Sequence, residues 1–124
     1  MLYAFLAYHG PKTTDALTPE QDDALMHDLH IVHRRLLAEG HFGPAARLAP
    51  TAKARTVRAR APVMDGPFAE TKEQLLGFYV MEFSSFDEAV AAARALQAVN
   101  PTAVYEIRPI DLFVSGKAIE GALP

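Results

Sequence analysis

The 124-residue chain predicts an α+β domain of the split β-α-β type, an antiparallel sheet covered on one side by two helices. Three observations predict it. Helix-start signals occur twice, at Thr18 and at Ser85. Each follows an apolar run of strand length, Leu2–Tyr8 and Gly77–Phe83. Each helical segment is followed in turn by a segment that reads as a strand. The order strand, helix, strand, strand, helix, strand is the ferredoxin-like plan.

Leu2–Tyr8 is the first strand, ended by the turn residues His9-Gly10-Pro11. Thr18 caps the first helix, with Pro19 at its first position and Gln21 completing a capping box. Leu25, Leu29, Val32 and Leu36 recur at helical spacing and make one apolar stripe, and Gly40 ends the helix. Phe42–Leu48 contains Gly43 and Pro44, so it reads as an irregular extra or edge strand. Arg55–Arg60, where Val57 and Ala59 alternate with Thr56 and Arg58, reads as the better strand, and 61–72 as a loop. Gly77–Phe83 is an aromatic strand. Ser85 and Glu88 form a second capping box, and Phe86, Ala89, Val90, Ala93 and Leu96 supply the buried side of the helix that follows. Asn100-Pro101 stops that helix. Ala103–Ile110 is the last strand, with Tyr105 and Ile107 on one face and Glu106 and Arg108 on the other. Residues 1–110 thus make one domain, and 111–124 form a tail without a pattern.

Composition narrows the function classes. Twelve Lys and Arg against 15 Asp and Glu leave a slightly acidic chain, which argues against a nucleic-acid partner. The absence of cysteine excludes disulfides, Cys-ligated clusters and thiol catalysis. The longest apolar runs, near seven residues, fall far short of the roughly 20 that span a bilayer. With no signal peptide in view either, the expectation is a cytoplasmic protein without a membrane partner.

Leu2–Tyr8 does not alternate, and Phe78–Met81 is apolar at both parities, so both strands read as buried on two faces. Two helices cover one face. A second copy of the same sheet is the simplest cover for the other, which gives a homodimer with a barrel-like core. The alternative cover is the tail, residues 111–124.

The most distinctive stretch runs from Asp65 through Gly66, Pro67, Phe68, Ala69, Glu70, Thr71, Lys72 and Glu73 to Gly77, Phe78 and Tyr79. It closely resembles the signature of the YCII-related family, in the branch named after its Asp-Gly-Pro-Phe (DGPF) motif. The resemblance extends from about Leu2 to Ile110 and takes in Thr18-Pro19-Glu20, Thr56-Val57-Arg58 and Tyr105-Glu106-Ile107-Arg108-Pro109. It implies a dimeric α/β barrel. Members of this branch resemble proteins encoded near extracytoplasmic-function sigma factors, and the wider superfamily includes isomerases, dehydrochlorinases and monooxygenases. Fold analogy of that kind does not assign a reaction. The better-known branch uses a His on the first helix and an Asp after the second. The matching positions here fall on Leu29, or on His30 with a one-residue slip, and on Asn100. Asn100 cannot serve as the carboxylate, so that dyad is not carried over.

The residues themselves offer a candidate site. Asp65, in a turn made rigid by Gly66-Pro67, would be an acid/base group, with His9, Glu70 and Lys72 assisting. The competing reading has Asp65 capping its turn while Glu70 and Lys72 pair on the surface. His9 ends the first strand, beside a cavity or in water. Phe68 would anchor the loop. Tyr8 and Tyr79 would offer phenols to a ligand or fill the core. Arg58 and its neighbours Arg47, Arg55 and Arg60 would bind an anion or protect an edge strand. His27, His30 and His33 with Asp23 tempt a metal reading, but Asp23, His27 and His30 lie opposite the apolar stripe and nothing completes a site, so no metal and no cofactor are expected. Two functions stay open: a cofactor-free enzyme doing acid/base chemistry on a small organic molecule, and a non-catalytic ligand-binding or regulatory module associated with a sigma factor. A plain structural homodimer is the third.

Overall fold

A computed structural model describes residues 1–9, 17–68 and 73–116. In chain order it contains β1 (Leu2–His9), α1 (Pro19–Ala38), β2 (Phe42–Arg47), β3 (Arg55–Thr56), β4 (Met64–Asp65), β5 (Gln74–Glu82), α2 (Phe86–Val99) and β6 (Ala103–Pro109), with one 3-10 turn at Thr51–Lys53.

Local chemistry sets the helix ends. Thr18 Oγ1 accepts from Gln21 N at 3.1 Å, and Gln21 Oε1 accepts from Thr18 N at 2.9 Å, so the capping box closes. At the other end Gly40 takes φ +82°, which lets its N–H donate to Leu37 O and the His41 N–H to Leu36 O. The start of α2 is built differently from the expected box. Ser85 Oγ accepts from Glu88 N at 3.2 Å, but the Glu88 carboxylate takes both the N–H and the hydroxyl of Ser84.

The main sheet has the order β2-β5-β1-β6 and every neighbour is antiparallel. β1 and β5 are the central pair, where their two-sided apolar character requires them. The second core strand is a correction. Arg55–Arg60 does not enter the sheet; Arg55 and Thr56 pair only with Met64 and Asp65 in a separate two-stranded hairpin. The irregular segment Phe42–Arg47 holds the edge place beside β5. Glycine explains how. A Cβ on Gly43 would sit 2.5 Å from Val80 O, and one on Gly77 would collide with Ala46 O, so β2 reaches β5 only because both positions lack a side chain. Arg55–Arg60 offers a sheet just one large apolar side chain, Val57, which stays exposed.

The helices cover one sheet face. Tyr3 and Phe5 of β1 and Met81 of β5 pack against Leu29, Val32 and Leu36 of α1 and Ala89, Ala93 and Leu96 of α2. Phe42, Tyr79, Tyr105 and Ile107 complete that layer. Ala92 joins the buried side of α2, whereas Phe86 remains largely exposed and meets Tyr3 edge-on at 5.3 Å. On the opposite, helix-free face, Leu2, Ala4, Leu6, Tyr8, Phe78 and Val80 are half-buried rather than buried within one chain. The described part of the tail, 111–116, is exposed.

Candidate functional site

β1 ends on His9, which pairs with Gln74 of β5 on one side and Ala103 of β6 on the other. Alternation from Tyr3 and Phe5 puts His9 on the helix-covered side, and it is 6 % exposed. It is the only buried polar or charged residue among those described. Its Nε2 has no hydrogen-bond partner among the described residues. Burial holds the imidazole below its ordinary pKa, and a hydrogen bond with the Asn100 side chain opposes part of that effect.

Asn100 is placed by the end of α2, where it is the C-cap and its N–H donates to Gln97 O at 3.1 Å. Its side chain also hydrogen-bonds Tyr105, whose phenol is raised above its ordinary pKa by burial despite that bond. Tyr105 stands on β6 opposite Ala7 of β1. Tyr79, on β5 opposite Phe5, is pushed up strongly by burial and secondarily by the neighbouring Tyr105. Its hydroxyl lies 2.8 Å from His33 Nε2 of α1. Burial, and next the nearby His30, hold His33 below its ordinary pKa. His33 also packs on Phe42 and Tyr79 with ring centroids 5.1 and 5.2 Å apart.

The result is a polar seam under the helices that runs His33, Tyr79, Tyr105, Asn100, His9. Every member is neutral at neutral pH. Ala7 and Gly77, opposite each other in β1 and β5, keep side-chain volume low between Tyr79 and His9. Such a set can accept a proton at an imidazole and donate hydrogen bonds from phenols.

Of the residues singled out from sequence, His9 and Tyr79 lie on this side of the sheet. Tyr8 lies on the helix-free face, half-buried. Asp65 belongs to the separate hairpin, is 86 % exposed at its side chain and pairs with Arg55 at 3.1 Å. Arg58 and Phe68 come together there, the guanidinium 4.7 Å from the ring centroid. Glu70 and Lys72 lie outside the described residues. Arg47 instead reaches α1 and pairs with Asp22 at 2.9 Å. His27 and His30 are exposed, and no group of three or more His, Cys, Asp or Glu among the described residues could hold a metal. At the far end of the sheet, Arg35, Glu39, His41, Phe83 and Glu88 line an open, shallow groove.

Sequence reasoning missed the role of His33 and of Asn100. His33 sits one position beyond Val32 and four beyond Leu29, at the margin of the buried stripe, and that angular position was the available signal. Asn100 reads from sequence as a helix stop only, because its meeting with His9 depends on β1 and β6 being neighbours.

Fold and seam together define a small two-layer α+β protein with neutral titratable groups enclosed between sheet and helices. The chain belongs to the YCII-related family, whose domain model matches residues 1–114. It is similar to an uncharacterised protein of Rhizobium meliloti (strain 1021), 50 % identical over 121 residues that cover 94 % of this chain and 98 % of the relative. No helix among the described residues is long and apolar enough to cross a membrane.

Proposed function

We propose that this protein is a cofactor-free enzyme that moves a proton on a small, uncharged organic molecule held against the seam. The observation that carries the reading is His9: an imidazole buried to 6 % exposure whose Nε2 has no hydrogen-bond partner among the described residues. Leaving such an atom unpaired costs about 1–3 kcal/mol, a cost that function would explain.

Asn100 fits the role of positioning residue. Its side-chain interaction with His9 raises that pKa, and its interaction with Tyr105 lowers that one. With no partner for Nε2 among the described residues, the Nδ1–H tautomer would leave the Nε2 lone pair available. At a carbon next to a carbonyl, Nε2 would take the proton, the C–H electron pair would become the C=C bond of an enolate, and the carbonyl π pair would move onto oxygen. A tyrosine hydroxyl stabilises that oxygen, and the imidazolium returns the proton to a different atom or the same one. Tyr79 and Tyr105 stay protonated for that task because burial raises both. Asn100 stands where the sister branch has a carboxylate, so it orients His9 without sharing a charge.

The same proposal places the chain in the DGPF branch, on its Asp65-Gly66-Pro67-Phe68 run, in the cytoplasm, and as a homodimer closed over the helix-free face. Leu6, Phe78 and Val80 on that face, half-buried in one chain, support the dimer.

The test is proton exchange. Enolisable cyclic ketones and lactones are incubated with the protein in D2O, and loss of the α-proton signal is followed by NMR. Catalysed exchange that disappears in His9→Gln, with the fold intact by circular dichroism, is the expected result. Ligands that shift the seam resonances without exchange would replace the enzyme with a binding module.

A further inference from the structure

The hairpin between β2 and β5 is braced internally and stands apart from the main sheet. Among the described residues, β3 and β4 pair with each other and with no strand of the main sheet. Arg55 Nε meets Asp65 Oδ1 at 3.1 Å, Thr56 Oγ1 donates to Gly66 O at 2.8 Å, and Gly66 N donates to Ala54 O at 2.8 Å. Gly66 takes φ +98°, a conformation glycine tolerates, and the Arg58 guanidinium lies on Phe68. These bonds fix the shape of the hairpin, yet its large apolar side chains remain exposed: Val57 at 76 %, Phe68 at 70 %, and also Val63 and Met64. A single chain gains nothing by holding four such groups rigidly in water.

Charge identifies the partner. Residues 51–68 hold four of the chain's 12 basic residues and one of its 15 acids. The rest of the chain is therefore distinctly acidic, while this hairpin is basic. The helix-free sheet face of the same chain combines half-buried Leu6, Phe78 and Val80 and exposed Val104 with two acids, Glu106 and Glu82, and one base, Arg108, at its margins. Glu106 is held only loosely, 3.9 Å from Arg108. An apolar hairpin with basic residues matches an apolar face whose margins carry two acids to one base.

We propose that the hairpin of residues 55–68 is a clasp that closes on a second copy of this chain, its apolar side chains meeting the margin of that copy's helix-free face and Arg58 and Arg60 meeting its acids. A two-fold axis makes the contact twice and leaves no basic hairpin unpaired. The clasp rests on the proposed homodimer and adds to it a contact from outside the sheet.

Sedimentation velocity on the full chain separates the two ideas. The variants are V57S/M64S/F68S and R58E/R60E in the hairpin and L6E on the sheet face, each checked for native circular dichroism. The expected result is a dimer in the wild type, a dimer weakened at least tenfold in both hairpin variants, and a monomer for L6E. Wild-type salt sensitivity of dimerisation should also vanish in R58E/R60E. Hairpin variants that dimerise like the wild type while L6E is monomeric would overturn the clasp and keep the sheet dimer. A monomeric wild type would overturn both.

Discussion

The Tyr79 hydroxyl and His33 Nε2 lie 2.8 Å apart, a single hydrogen bond that ties central strand β5 to helix α1 from inside the domain. It joins two groups that burial keeps uncharged, since the phenol is raised and the imidazole lowered. The bond therefore survives across neutral pH without an ion pair to be screened.

Removing one partner tests it. Tyr79→Phe leaves the imidazole nitrogen without its partner and should destabilise the fold by about 1–3 kcal/mol. Replacing both, as Tyr79→Phe with His33→Leu, should cost less than the sum of the single changes. Urea denaturation of the four proteins measures this cycle. Simple additivity would mean that the bond contributes nothing.

Acid should weaken the fold through the two inward histidines. Both have folded pKa values below their ordinary value of about 6.5. Between the lowered folded value and the unfolded one, the unfolded chain binds more protons, so stability rises with pH there. The contribution is whole above about 6.5 and is lost as pH falls through the folded values. The Tm should drop from pH 7.5 toward pH 5, and less steeply in His9→Gln. Parallel Tm curves for the two proteins would show that His9 titrates like a solvent histidine.

Asp65 offers the contrasting case. Its pair with Arg55 is exposed at both side chains, and such pairs contribute about 0–1 kcal/mol. Asp65→Asn should change stability by less than about 1 kcal/mol, with the small loss shrinking in high salt. A larger loss by urea denaturation would give the carboxylate a further structural role. In the proton-exchange assay the same variant measures whether Asp65 takes any part beyond the hairpin.

Local rules wrote much of this fold into the sequence. The capping box at Thr18, the Gly40 stop and the Asn100-Pro101 stop involve neighbours a few residues apart, so no tertiary information is needed to read them. The central positions of β1 and β5 were also legible, because a strand apolar on both sides belongs where both sides meet other groups. The choice between Phe42–Arg47 and Arg55–Arg60 was not. Arg55–Arg60 has the cleaner alternation, but Gly43 and Gly77 decide the matter by how closely two backbones approach. The seam was half legible. His9 and Tyr79 stood out as single residues, while Asn100 looked like punctuation and His33 like one of several surface histidines.

The order of elements, the ends of both helices and the identity of the central strands are readable from the residues alone, since each follows from contacts within a few residues or from the sidedness of one segment. Tertiary structure alone decided which edge strand enters the sheet and which polar groups share the interior. Those outcomes depend on chain segments far apart in sequence meeting at fixed register, and no local pattern records that meeting.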